Sequence, residues 1–85
     1  MDKDINENYY VKDLYEACYL YLTGIPLKGL LKDSTRFYFV FSEKSTCIQL
    51  RDKYWAYETA VDAKKYADAI KSLKDRIFSE GAKRG

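Results

Sequence analysis

The chain has 85 residues, 15 of them basic and 13 acidic, for a formal net charge of +2, and it contains no histidine. A chain this short makes one domain with a thin core, burying roughly 60 to 65% of its unfolded surface. The near-balance of charge singles out neither nucleic acid nor membrane as a partner, and without histidine the usual general base near neutral pH and the commonest metal ligand are missing.

Residues 1–8 are polar and read as a flexible N-terminus, lacking the basic-then-apolar order of a secretory leader. Residues 9–78 read as a single α+β domain. Tyr9, Tyr10 and Val11 suit a short strand. From Asp13 the pattern is helical: Leu14, Ala17, Cys18, Tyr21 and Leu22 recur at helical spacing, with Gly24 at the capping position and Pro26 against continuation. Tyr15 and Tyr19 fall beside that stripe, either extending it or facing outward.

Residues 27–31 read as the first strand of a hairpin, with Asp33 and Ser34 in the turn. The strongest strand signal is Thr35–Phe41, TRFYFVF, which places Phe37, Phe39 and Phe41 on one face and Arg36, Tyr38 and Val40 on the other. The Phe face is expected in the core. Ser42 then suits the cap of a second helix running to about Tyr54, with Cys47, Leu50 and Tyr54 as its apolar positions. In YWAYE, residues 54–58, three aromatics within four positions do not all face one way.

The final helix has the clearest pattern. Asp62 is its N-cap candidate and Val61 is placed to pack on Tyr66. Tyr66, Ile70, Leu73 and Ile77 make one apolar stripe with Phe78 toward its edge, and Lys64, Asp68, Lys71 and Asp75 form the solvent side. Residues 79–85 read as a flexible basic tail. The layout is thus short strand, helix, β-hairpin and two helices, with a small antiparallel sheet packed against the helices.

Cys18 and Cys47, 29 positions apart and without histidine, make a poor zinc set, and neither has an evident base to activate it. Both are expected as buried or partly buried thiols in a reducing compartment, with a single disulfide between them as the alternative. The glycines match no phosphate-binding loop, and the acidic residues read as caps or ion-pair partners. No catalytic residue, metal or cofactor is assigned. No apolar run approaches the roughly 18 residues of a membrane span, so the expected location is the cytoplasm.

Two kinds of contact remain. For a protein partner, or for self-association, the candidates are Trp55 and Tyr57 beside a helix end, Arg51 one turn before Trp55, Tyr38 on the less committed strand face, and Tyr15 and Tyr19 on the first helix; Trp, Tyr and Arg are enriched in interface hot spots. The bland alternative places Trp55 as a lid on the small core. For nucleic acid, Lys28, Lys32 and Arg36 on the hairpin and Lys64 and Lys71 on the last helix are the candidate phosphate contacts, with aromatics as stacking partners.

The segments YYVKDLYEACYLYLTGIPLKGLLKD (residues 9–33), RFYFVF (residues 36–41) and VDAKKYADAIKSLKDRIF (residues 61–78) together resemble a small uncharacterised domain found in bacterial, archaeal and phage genomes. The resemblance implies a fold and a context, with no catalytic motif to transfer. It also implies a glycine in the connection where this chain has Trp55-Ala56-Tyr57. The expected function is a non-enzymatic protein-interaction module, an accessory of a phage or mobile element acting on host machinery, and the alternative is a small DNA- or RNA-binding protein using the hairpin and the last helix.

Overall fold

The computed structural model describes the backbone of residues 7–84 and the side chains of residues 7–80. Its elements are β1 (Tyr9–Val11), α1 (Leu14–Leu22), β2 (Leu27–Asp33), β3 (Arg36–Phe41), α2 (Lys44–Trp55) and α3 (Ala63–Arg84). The protein is α+β. Its three strands lie in the order β1-β3-β2, antiparallel to each neighbour. The Phe-rich strand is therefore central, and the first two strands flank it across the α1 connection, as in a split βαβ unit.

The pairing between β2 and β3 is irregular, and the irregularity decides which side chains reach the core. Leu27 lies opposite Phe41 and Leu30 opposite Phe39, with the shift falling between Leu27 and Gly29. Strict alternation never puts residues three apart on one face. The extra residue of a bulge does, so both leucines join the Phe face. Leu31, opposite Tyr38, then points the other way and is exposed. Ser34 alone of the two loop residues has a positive φ, the pattern of a type II′ hairpin turn.

The helices cover the Phe face. Phe39 and Phe41 are buried there with Val11, Ala17, Cys18, Leu20, Ile25, Cys47, Ala69 and Leu73. Helix α1 is the centre of the molecule: five consecutive residues, Glu16 to Leu20, are buried, because β1, α2 and α3 surround it. A helix packed against three neighbours carries a wider apolar stripe than a surface helix, here leaving Tyr15 exposed. Asp13 caps it, its carboxylate accepting the Glu16 N–H at 2.8 Å.

The far end of α1 closes in a Schellman motif. Gly24 donates to the Tyr21 carbonyl and Ile25 to the Leu20 carbonyl, with Gly24 at φ +99°, the left-handed position that favours glycine. Ser42 does not cap α2, contrary to the sequence expectation. Its N–H donates to the Pro26 carbonyl and its own carbonyl receives the Cys47 thiol, so Glu43 takes the cap position with φ 60°.

Helix α3 begins as expected, the Asp62 carboxylate accepting the Lys65 N–H at 3.0 Å. Its stripe of Tyr66, Ala69, Ile70, Leu73 and Ile77 packs into or against the core. Phe78 does not follow it: one residue beyond Ile77 it turns 100° away and is 80% exposed. The helix runs on through Arg84, across the segment read as a tail, without breaking at Gly81. Residues 1–6 of the N-terminal segment and Gly85 lie outside the described residues.

Candidate protein-contact site

Helix α2 presents three aromatic rings where it ends. Tyr54 faces inward and stacks on Tyr19 with ring centroids 5.6 Å apart. Trp55 meets Tyr54 edge to face at 5.1 Å, an arrangement the opposed edge and face charges of aromatic rings favour. Trp55 is nevertheless 54% exposed. Its ring is fixed from below, because Nε1 donates to Glu16 Oε1 at 3.1 Å.

Glu16 is the hub of this end of the fold, and sequence reasoning missed it. Only 7% exposed, its carboxylate receives the Tyr9 hydroxyl on Oε2 at 3.0 Å and the Trp55 indole on Oε1. Arg51 Nη1 donates in turn to the Tyr9 oxygen at 3.4 Å and the guanidinium also binds Asp52. Burial, followed by the Glu16 carboxylate, raises the Tyr9 phenol above its usual pKa. Three elements, β1, α1 and α2, meet on one carboxylate. A glutamate inside a helical stripe gives a weak sequence signal, since its neighbours at i±3 and i±4 are not the residues that satisfy it.

The chain leaves α2 through a second Schellman motif. Tyr57 donates to the Tyr54 carbonyl and Glu58 to the Lys53 carbonyl, the same two bonds that close α1. Here the left-handed residue is Tyr57, at φ 60°. This is where the resemblance implied a glycine. A tyrosine in this conformation costs about 1–2 kcal/mol, and its ring recovers none of it by packing, being 93% exposed. Tyr54, Trp55, Tyr57 and Thr59 line a cleft of about 270 Å³.

The other contact candidates are dispersed. Contrary to the sequence expectation of a contact residue, Tyr19 is 7% exposed, stacked on Tyr54, and has no surface to offer. Tyr15 is exposed, and its carbonyl receives the Tyr66 hydroxyl at 3.1 Å. Arg51 serves Tyr9 and Asp52. Tyr38 is half-buried opposite Leu31, on the face of β3 turned from Phe37, Phe39 and Phe41.

The basic candidates do not form one patch on the hairpin. Lys32 stands opposite Phe37 with its ammonium 5.8 Å from the ring centroid, on the Phe side. Arg36, one position before Phe37, belongs to the opposite face, across from Asp33. Lys28 donates to Asn8, and Lys64 is paired with Asp68 at 3.2 Å. Lys71 is exposed on α3. A second cavity, about 340 Å³, lies where α3 passes the hairpin and is lined by Gly29, Leu30, Asp75, Arg76, Ser79 and Glu80, mixing charges of both signs.

A family model described as Domain of unknown function (DUF5659) matches residues 6–79. The chain belongs to that family. Among curated proteins and solved structures nothing matches it. The DUF5659 match spans every strand and both helix ends described above, so the Glu16 hub and the aromatic cleft lie inside the family domain. Among the described residues of this DUF5659 chain no group of three His, Cys, Asp or Glu side chains is arranged to hold a metal ion, and no helix is long and apolar enough to cross a membrane. Cys18 and Cys47 are both buried thiols, and burial raises the Cys18 thiol to about 11.

Proposed function

We propose that this DUF5659 domain is a non-enzymatic protein-interaction module whose contact surface is the aromatic end of α2. One observation carries the reading: Tyr57 holds a strained left-handed conformation and spends it on a ring that is 93% exposed. Backbone strain that brings no packing in return is a mark of functional positions. Beside it, Trp55 combines a large free surface with an orientation fixed by Glu16, and a rigid aromatic loses little entropy when a partner covers it. The role of an accessory acting on host machinery for a phage or mobile element rests on the sequence resemblance alone, and the two buried thiols suit a reducing cytoplasm.

The test is capture by paired baits, wild type against Trp55→Ala and Tyr57→Gly, with Tyr10→Ser as a bait altered on the opposite face. A partner recovered by wild type and Tyr10→Ser but lost with both α2 variants supports the reading. A set of partners indifferent to Trp55 and Tyr57 overturns it. The nucleic-acid alternative is weakened by the placement of Lys32 and Arg36 on opposite faces of the hairpin, since phosphates are tracked by cations that share a surface.

A further inference from the structure

We infer that the cleft formed by Tyr54, Trp55 and Tyr57 binds a cationic head group, a methylated ammonium or a guanidinium on one side chain of the partner; this inference rests on the reading of the α2 end as a contact surface. Size comes first. At about 270 Å³ the cleft falls below the range of small-molecule sites, roughly 300–1,000 Å³, so it suits a single side chain better than a whole metabolite.

The lining then selects the chemistry. The one donor on the Trp55 ring is already given to Glu16, which leaves the indole with its π face and no hydrogen bond for a peptide carbonyl. Aromatic faces carry negative charge and attract cations that approach them. Among the described residues no Lys or Arg lines the cleft. Arg51 is engaged with Tyr9 and Asp52, and the exposed Lys53, next in the chain to Tyr54, is not among the lining residues. Glu58 stands in the chain between the lining residues Tyr57 and Thr59, is exposed, and makes no side-chain bond among those of the described residues. The buried Glu16 carboxylate adds a second negative charge 3.1 Å from the indole nitrogen. Aromatic walls, a fixed indole and an acidic residue next in the chain to two of the lining residues together resemble the surroundings that quaternary ammonium groups find in aromatic cages.

Choline and 3,3-dimethylbutan-1-ol provide the test, the alcohol having the same shape without the charge. Added to the full chain, choline is expected to shift the Trp55 indole and Tyr57 ring resonances saturably and to bind about two- to fivefold tighter than the alcohol, the preference of an exposed cation–π contact. Tyr57→Gly, which leaves the Schellman motif intact, should remove that preference, and Glu58→Gln should reduce it. Equal or tighter binding of the alcohol in the cleft overturns the cation inference while leaving the contact surface standing. Absence of a saturable shift with both probes overturns it as well, and the paired-bait capture then judges the surface separately.

Discussion

Replacing Tyr57 with Gly should raise stability, although it deletes a large aromatic side chain. The left-handed conformation at φ 60° costs a tyrosine about 1–2 kcal/mol, and Gly occupies it without that penalty. Against this, Gly adds freedom to the unfolded chain worth about 0.4–1 kcal/mol. Ring burial contributes almost nothing, because Tyr57 is 93% exposed. The balance is a gain of about 0.5–1 kcal/mol, which for a domain of this size is a rise of about 2 to 8 °C in melting temperature. Thermal unfolding followed by circular dichroism measures it. Tyr57→Ala isolates the cause, since Ala keeps the left-handed penalty and should leave the melting temperature nearly unchanged. If Tyr57→Gly melts at or below wild type, the strain is illusory and the functional reading loses its main support. Gly24→Ala is the mirror experiment: no atom lies within 4 Å of the added Cβ, so its expected loss of about 1 kcal/mol is purely conformational.

Glu16→Ala removes the acceptor of two hydrogen bonds to a charged group and should cost about 2–3 kcal/mol in urea unfolding; since Trp55 is the sole tryptophan, its emission should also change, and a cost under about 0.5 kcal/mol with unaltered emission would contradict the hub. Leu73→Ala, at a fully buried position, should cost about 2–5 kcal/mol, whereas Phe78→Ala five residues on should stay within about 0.5 kcal/mol; comparable losses at both would refute the assigned helix face. Alkaline stability follows from Cys18, raised by burial from 9.0 to about 11. The unfolded thiol ionises first, so its stabilising contribution is complete below pH 9 and is lost as pH rises toward 11. The Tyr9 and Tyr66 phenols, raised chiefly by burial, add losses of the same sign at higher pH. A denaturation midpoint that holds constant from pH 8 to 11 would contradict this. Titration with single- and double-stranded oligonucleotides at about 50 mM salt should show no binding, and a steep salt-dependent affinity would instead favour the nucleic-acid alternative.

Helix and strand were legible wherever one periodicity dominated. Phe37, Phe39 and Phe41 alternate, and Tyr66, Ile70, Leu73 and Ile77 recur at helical spacing, because each element buries a single face and its sequence records that face. Asp13, Gly24 and Asp62 marked helix ends because caps act over three or four residues, within reach of a local pattern. Tyr19 and Phe78 were misplaced for a related reason. Periodicity locates a stripe but not its width: α1 is enclosed by three neighbours and buries Tyr19, while α3 has open solvent just past Ile77.

What the sequence by itself determined is therefore the order of elements, the α+β class and most of the core, all consequences of short-range backbone preference and hydrophobic spacing. Only the tertiary structure decided that Glu16 is shared by Tyr9 and Trp55, since its partners lie 7 and 39 positions away and no local rule couples them. Tertiary pairing also inserted the bulge that turns Leu27 and Leu30 to the same side. It placed Tyr57, too, in a conformation its own side chain disfavours: packing of Tyr54 on Tyr19 and the bond from Trp55 to Glu16 fix the end of α2, and the chain beyond has to turn there whichever residue occupies the position.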